Sequence, residues 1–266
     1  MTTQLSVLQR SEKNCSNNVR LGDVVGMSAI YAYGFHNGIN ATEINLNGGG
    51  IGTSSMNFVT SGSDSFALTS SNAGDNQVIR FYYYASDSDE SMTYQDATLN
   101  GQTKVNLTNN MYRIINAQCT SSSNPAGTIY LGLQSESYSG APSNIYYSFD
   151  GPSGFSLSPI IYVPPNKKAL VQKYQIYTNV NREASNSLIL NLRQKKNGST
   201  ADKVLPIPVS MSISGESCLV IQASTTMYFT ALRDNTVALS PTTHYLAFGC
   251  GCILVDDDVN TQIDNQ

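Results

Sequence analysis

Three acidic side chains fall within four positions in the stretch IRFYYYASDSDE, residues 79–90. The stretch begins as an alternating run of aromatic and β-branched residues, which predicts a strand, and then reaches Asp87, Asp89 and Glu90. Neighbouring carboxylates could bind a cation or act as an acid/base pair. The EF-hand spacing is missing, and a catalytic pair normally comes from strands distant in sequence. We therefore expect a solvated acidic loop between two strands, with a cation site as the alternative.

The two histidines and a pair of cysteines are the next candidates for chemistry. His36 and His244 could each act as a base, but no G-x-S-x-G elbow marks a nucleophile. Cys250 and Cys252, in GCGC, could bind a metal with His244 and Cys218, yet a single C-x-C pair lacks the paired spacing of zinc sites. On a strand both thiols face one side, so we expect them in the core. The sequence thus predicts no catalytic residue, no cofactor-binding residue and no metal ligand.

A glycine-rich stretch and the many tyrosines suggest two kinds of ligand binding. NGGGIGTSS, which starts at Asn47, lacks the lysine and the helix of a phosphate-binding loop, so we expect a surface loop. The sixteen tyrosines could stack on sugar rings, and Tyr82, Tyr138 and Tyr147 are the candidates to line such a site. Most tyrosines occupy strand positions, where their rings fit a half-buried sheet surface. A glycan site therefore stays an alternative.

The composition argues against two classes of partner. The 266 residues carry a net charge of −4, and only 13% are charged, against roughly 25% in typical soluble domains. Without an excess of Lys and Arg the chain has no charge to neutralise a nucleic-acid backbone. No run of about 18 apolar residues could span a bilayer, and a signal-peptide layout is missing, so we expect a polypeptide that is synthesised inside the cell. Five cysteines, an odd count, predict reduced thiols.

Period-two alternation recurs along the chain, whereas apolar residues are nowhere sustained at helical spacing. Short strand candidates separated by Gly, Asn, Asp and Ser are typical of sandwiches and barrels. Two prolines and two glycines within residues 150–159 mark a seam. We predict an all-β protein with two jelly-roll-like β-sandwich modules in tandem, residues 21–152 and 153–255. Extended arms flank them, an N-terminal arm at 1–20 and an acidic C-terminal tail at 256–266.

Two local features complete the expected fold. Asn100-Gly101 suits a turn that needs positive φ, and the flanking segments, with Leu99 before it and Val105 after it, are expected to pair as a hairpin. Both arms lack apolar periodicity but contain isolated apolar anchors, namely Leu5, Val7, Leu8, Val259 and Ile263. We expect the arms to become ordered on assembly with a partner.

Several of these patterns follow one another in a familiar order. Residues 77–132 contain a strand, an acidic loop, an L-N-G turn followed by TKV, a strand that begins YRI, and an N-x-x-G-T-I step. Residues 160–176 contain a strand start that reads Tyr162, Val163, Pro164, Pro165, Asn166 and Lys167. Together with residues 17–39, these segments resemble virion structural proteins of tailed phages and of large DNA viruses of aquatic hosts. The family's pattern has Gly where this chain has Asn166, and Asn tolerates the same left-handed backbone.

The resemblance implies a structural role in a virus particle, as a minor capsid, capsid-decorating or tail-associated protein that packs against major capsid or tail subunits. It carries over no catalytic residue. We expect a homo-oligomer, a trimer or a ring, because closed assembly covers exposed sheet edges. The alternatives are a viral adhesin or fibre module that binds a host glycan and, more distantly, a polysaccharide hydrolase.

Overall fold

The computed structural model describes residues 27–39, 42–46, 63–178, 188–199, 202–209, 213–216, 219–233 and 245–256. Within these ranges the chain is almost entirely β and forms several antiparallel sheets, which confirms the all-β prediction. One turn of 3₁₀ helix, Gly151–Ser153, lies at the predicted seam. None of the described residues form a helix long and apolar enough to cross a membrane.

The strands of the described ranges are numbered in chain order. In the first half they are β1 (Met27–Asn37), β2 (Ile44–Asn45), β3 (Asp64–Ser70), β4 (Val78–Tyr84), β5 (Thr93–Thr98), β6 (Val105–Met111), β7 (Arg113–Cys119), β8 (Thr128–Leu133) and β9 (Tyr147–Asp150). In the second half they are β10 (Phe155–Leu157), β11 (Ile160–Val163), β12 (Lys167–Thr178), β13 (Leu188–Lys196), β14 (Asp202–Val209), β15 (Ile213–Glu216), β16 (Val220–Ile221), β17 (Thr225–Arg233) and β18 (Tyr245–Asp256).

Strands β3 to β10 form one pair of stacked sheets, which we call sandwich I. Its sheets have the strand orders β6-β3-β8-β9 and β10-β7-β4-β5. Alternation explains the core, because Ile79, Phe81 and Tyr83 of β4 are buried while Arg80 and Tyr82 between them are partly exposed. They pack against buried residues of the facing sheet, namely Phe66, Leu68, Ile129, Leu131 and Phe149. The two inner faces therefore share one apolar core.

The remaining strands form sandwich II. One sheet has the order β1-β18-β12-β15, with β16 beside β12, and the other has β11-β17-β13-β14, with β2 beside β17. The inner faces meet in a second apolar core, in which the ring centroids of Phe229 and Phe248 lie 4.1 Å apart. The described chain thus forms two sandwiches with separate cores. The jelly-roll strand order stays a prediction.

The stretch GCGC lies in the middle of β18. Cys250 and Cys252 are buried in the core of sandwich II, as the alternation predicts. A hydrogen bond with Cys252 and burial raise the pKa of the Cys250 thiol. Gly251 lies between them on the opposite face, where the ring of its cross-strand partner Tyr31 lies 3.3 Å from the position of a Cβ. The cysteines therefore serve as small core residues.

The sheets do not follow the predicted module boundaries of 21–152 and 153–255. β1 pairs with β18 along its whole length, from Met27 opposite Val255 to Asn37 opposite Tyr245, and β2 pairs with β17. β10 pairs with β7 in sandwich I. The physical reason is that β18 is a long apolar strand, and a neighbour on each side satisfies its backbone groups. The described chain therefore begins in sandwich II with β1 and β2, forms sandwich I with β3 to β10, and continues in sandwich II from β11 onward.

The structure confirms the predicted turn at Asn100-Gly101. The prediction that the segments on either side of it pair with each other is wrong. Gly101 has a φ of +57°, and a Cβ there would lie 2.3 Å from the carbonyl oxygen of Ala73. The strands on either side belong to opposite sheets, because β5 pairs with β4 and β6 pairs with β3. Leu99 and Leu107 both enter the core between the sheets, so the turn carries the chain across sandwich I.

Two further predictions concern the ends of β12 and β18. Asn166 has a φ of +62°, which confirms that this position needs a left-handed backbone. Asp256, the first residue of the predicted tail, ends β18 instead and accepts a 2.8 Å hydrogen bond from Lys167 Nζ. The arm at 1–20 and residues 257–266 lie outside the described residues.

Candidate functional site at the sandwich junction

The acidic loop of the opening stretch joins β4 to β5 at the side of sandwich I that faces sandwich II. Within the loop, the carboxylate of Asp89 accepts hydrogen bonds from the backbone N–H groups of Ala85 and Ser86, at 2.8 and 2.9 Å. It also accepts a 2.8 Å bond from the Ser86 hydroxyl. Short polar side chains commonly close turns in this way. Asp89 therefore shapes the loop.

The loop also contacts sandwich II directly. The backbone carbonyl of Asp87 accepts hydrogen bonds from the hydroxyl of Tyr162 at 2.8 Å and from Asn197 Nδ2 at 3.0 Å. Glu90 Oε1 accepts a 2.7 Å bond from Asn166 Nδ2. Because these three donors belong to sandwich II, the acidic loop acts as a connection between the two sandwiches. We call this contact region the junction.

A buried arginine lies next to the loop. Arg113, at the start of β7, donates hydrogen bonds to Thr226 Oγ1 at 2.9 Å, to the Tyr112 carbonyl at 3.0 Å and to the Tyr112 hydroxyl at 3.1 Å. Its guanidinium also lies 3.8 Å from the centre of the Tyr112 ring. Burial lowers the pKa of Arg113, and the facing Tyr112, Tyr162 and Asp87 oppose this change. Arg113 thus joins β7 of sandwich I to β17 of sandwich II.

The polar groups of the junction form one continuous chain of donors. Arg113 donates to the Tyr112 hydroxyl, which donates to Asn197 Oδ1 at 2.8 Å, and Asn197 in turn donates to the Asp87 carbonyl. Successive hydrogen bonds polarise one another and are stronger away from water. The chain therefore fixes the position of the acidic loop on sandwich II.

Aromatic rings surround this polar chain. The Tyr162 ring packs edge-on against Tyr84 and Tyr112, with centroid distances of 4.7 and 5.6 Å. Burial raises the pKa of Tyr84 and of Tyr162 to about 12. Both hydroxyls therefore stay protonated at neutral pH, where Tyr162 can donate its hydrogen bond to Asp87.

The junction does not bring its acidic groups together as a cation or catalytic site would. Asp89 is satisfied inside the loop, and the side chain of Glu90 points to Asn166. Across the described ranges, no group of three or more His, Cys, Asp or Glu side chains is placed to hold a metal ion. The hydrogen bonds of the junction can instead hold the two sandwiches together.

Two carboxylates from distant segments do meet elsewhere, on the outer face of sandwich II. Glu43 and Asp202 both contact Arg193, and the distance from Arg193 Nη1 to Asp202 Oδ2 is 3.5 Å. Glu43 also accepts hydrogen bonds from Asn191 and Thr230. Burial opposes the ionisation of Glu43, but the bonds from Arg193, Thr230 and Asn191 outweigh it and lower the pKa of Glu43. A glycosidase acid needs a raised pKa instead. This group is an ion-pair cluster.

The other residues considered for chemistry are scattered. His36 is buried on β1. His244, Cys218 and the glycine-rich stretch that starts at Asn47 lie outside the described residues. Of the metal site considered for Cys250 and Cys252 with His244 and Cys218, the structure therefore describes only the two thiols, which point into the core.

The three tyrosines proposed for a glycan site do not share a surface. Tyr147 is buried in the core of sandwich I, where its hydroxyl donates to the Ser156 carbonyl at 3.0 Å, so its assignment as site lining is wrong. Tyr138 is half-buried and donates to the Ala67 carbonyl at 2.9 Å. Tyr82 lies on the outer face of β4 beside the exposed Tyr94, with their ring centroids 6.0 Å apart. Only Tyr82 belongs to an exposed aromatic pair.

Sequence reasoning missed the residues that form the junction around the loop. Arg113 interrupts the apolar stretch MYRIINAQC, and a charged residue at a buried strand position was the signal that could have revealed it. Asn197 follows directly after β13, and its side chain bridges Tyr112 and Asp87. No sequence signal indicated that contact.

Comparison with known proteins gives only remote matches. No family profile and no curated protein matches the chain. Among solved structures, the chain is similar to two from infectious bursal disease virus. These are the Gt strain at 10% identity (87% of this chain, 73% of that chain, TM-score 0.27) and the T13 particle at 9% (96% and 78%, TM-score 0.27). The VP2 subviral particle matches at 8% identity, over 87% and 73% of the chains, with a TM-score of 0.26. At these scores the matches do not assign the chain to a family.

Proposed function

We propose that this protein is a structural subunit of a virus particle, a minor capsid, capsid-decorating or tail-associated protein, and that it acts by packing and not by catalysis. Its partners are copies of itself and the major capsid or tail subunits, and its location is the virion after synthesis in the host cytoplasm. The residue patterns within 77–132 and 160–176 support the viral assignment.

The observation that carries the packing role is the exposed apolar edge of sandwich II. Among the described strands, β14 pairs only with β13, and its side chains Val204 and Leu205 are 45% and 52% exposed. Large apolar side chains on a sheet edge are typical of surfaces that another chain covers. Pro206 and Pro208 of β14 lack N–H groups, so contact through side chains is favoured over the addition of a further strand.

Sandwich I presents a second apolar edge. β5 pairs only with β4 among the described strands, and Met92 and Tyr94 at its start are 45% and 54% exposed. Apolar edges on both sandwiches suit a subunit with a neighbour on each side, as in a ring or another closed assembly. The junction supports this role, because a subunit that transmits packing between neighbours needs a fixed angle between its sandwiches.

Glycan binding is the second candidate function, and the exposed pair of Tyr82 and Tyr94 favours it. Arg80 lies 4.3 Å from the centre of the Tyr94 ring, so this patch offers both an aromatic face and donors. A glycan array should then give a reproducible saccharide hit that Tyr94→Ala removes. The hydrolase is the weakest alternative, because Arg193 lies between Glu43 and Asp202 and favours the ionised form of Glu43.

Light scattering on the purified full-length chain tests the packing role. We expect an oligomer at micromolar concentration, and we expect the double variant Val204→Lys, Leu205→Lys to lower the average mass, because two buried ammonium groups would oppose contact at β14. Ser122→Lys, at an exposed loop position of sandwich I, is the matched control and should leave the mass unchanged. A monomer at every concentration, or the same mass for the double variant, would refute the β14 contact.

A further inference from the structure

A cavity of about 300 Å³ lies between the two sandwiches, beside the acidic loop. Most of its wall is apolar, and both sandwiches contribute to it, with Ile30, Tyr31, Tyr84, Met92, Ile115 and Tyr162 among the lining residues. The volume corresponds to roughly ten waters in the liquid and lies at the lower end of the range for small-molecule sites. Such sites form preferentially where domains meet.

One polar group of this wall is left without a partner. Asn116, on β7, lines the cavity, and its side-chain oxygen Oδ1 is shielded from solvent while accepting no hydrogen bond from the described residues. A shielded carbonyl without a donor costs roughly 1–3 kcal/mol, and native structures pair nearly all such groups. The cavity therefore combines an apolar wall with one free acceptor.

The charged groups at the cavity are already paired within the protein. Glu90 accepts the 2.7 Å hydrogen bond from Asn166, and Lys167 Nζ lies 2.8 Å from Asp256 Oδ1. Neither group is free to neutralise an ionic ligand. A charged molecule would lose its hydration in an apolar cavity and gain no opposite charge, whereas a neutral molecule would not incur this cost.

We propose that the cavity binds a small, neutral and mostly apolar molecule whose single hydrogen-bond donor reaches Asn116 Oδ1. Such a ligand contacts β1 and β11 of sandwich II and β4 and β7 of sandwich I at once, so it stabilises the angle between them. This binding site goes beyond the packing role and does not depend on it. The two are tested by different measurements.

The test uses two probes of nearly equal size on the full-length chain, 2-naphthol and 2-methylnaphthalene, of which only the first has a donor. Isothermal calorimetry should show that 2-naphthol binds about tenfold more tightly, as expected from one hydrogen bond to a shielded acceptor. If neither probe binds, or if both bind equally, the proposal is wrong.

Two variants locate the binding. Asn116→Leu keeps the side-chain size and removes the acceptor, so it should still bind 2-methylnaphthalene but lose the preference for 2-naphthol. Ala29→Phe fills the cavity from β1, where Ala29 is half-buried outside the apolar core, and should abolish binding of both probes. Ser122→Lys is the control and should bind as the wild type does. A preference that survives Asn116→Leu, or unchanged binding to Ala29→Phe, would overturn the assignment.

Discussion

The hydroxyl group of Tyr162 donates a 2.8 Å hydrogen bond to the backbone carbonyl of Asp87, and through this contact β11 of sandwich II holds the acidic loop of sandwich I. The three carboxylates that suggested chemistry in the sequence lie in this loop. The contact with Tyr162 is made by the loop's backbone, and the carboxylate charges take no part in it. The loop therefore contributes to the architecture of the molecule.

Replacing Tyr162 by Phe should weaken the junction. The change removes the donor to Asp87 and keeps the ring contacts with Tyr84 and Tyr112, so we expect a loss of about 1 kcal/mol in the free energy of unfolding. Urea denaturation measures it. Tyr94→Phe, whose ring is exposed, is the control and should leave the stability unchanged. Equal stability of the wild type and Tyr162→Phe would show that the contact contributes nothing.

Replacing Arg113 by Leu should lower the free energy of unfolding more than Tyr162→Phe does. The variant leaves Thr226, the Tyr112 carbonyl and the Tyr112 hydroxyl without their shared donor in a buried place. We expect a destabilisation of about 2–4 kcal/mol, since each unsatisfied group costs roughly 1–3 kcal/mol and the leucine recovers part of it through apolar burial. Arg80→Leu, at a half-exposed strand position, should destabilise the fold clearly less than Arg113→Leu. Similar losses for both variants would contradict the role given to Arg113.

Asp75 should be essential for the loops at one end of sandwich I. Its buried carboxylate accepts hydrogen bonds from the Ser70 hydroxyl at 2.6 Å and from the backbone N–H groups of Ala126 and Gly127 at 2.9 and 3.0 Å. Asp75→Asn replaces an acceptor oxygen by an NH₂ group that faces a donor, so we expect a loss of roughly 1–3 kcal/mol in thermal or urea unfolding. Asp150→Asn, at an exposed position, should have no measurable effect.

Glu43 should make the stability depend on pH. Burial alone would raise its pKa, but hydrogen bonds from Arg193, Thr230 and Asn191 lower it below the usual 4.5. A carboxylate with a lowered pKa in the folded state stabilises the fold above its unfolded pKa, and that contribution is lost as the pH falls through the folded pKa. Wild type should therefore exceed Glu43→Gln in stability at neutral pH, and the difference should shrink below about pH 4.5.

The control for this pH profile is Tyr162→Phe, because burial raises the pKa of Tyr162 to about 12 and its hydroxyl stays protonated throughout. Its difference from wild type should stay nearly constant over the same pH range. A Glu43→Gln profile parallel to that of wild type would exclude a lowered pKa at Glu43.

Local alternation predicted the strands well where one face is buried. Ile79, Phe81 and Tyr83 of β4 lie in the core as their period of two requires, and the placement of Cys250 and Cys252 follows the same rule. These features depend on neighbours along the chain. They are therefore visible in the sequence.

The partnership between distant segments could not be predicted in this way. Tyr33 pairs with Gly249, and Glu43 contacts Arg193. In neither pair does the sequence around one residue indicate its partner. Each pairing is decided by which apolar face or charge remains uncovered once the rest of the chain has folded. The module boundary and the junction both depend on such pairings. The observed sheets cross the expected boundary, and the sequence analysis did not find the junction.

The copy number of this chain in purified virus particles tests the central claim most directly. Under the proposed virion role, quantitative mass spectrometry of these particles should give a fixed multiple relative to the other structural proteins, unchanged by further purification. Traces that disappear on purification, or absence from the particle, would contradict a structural role.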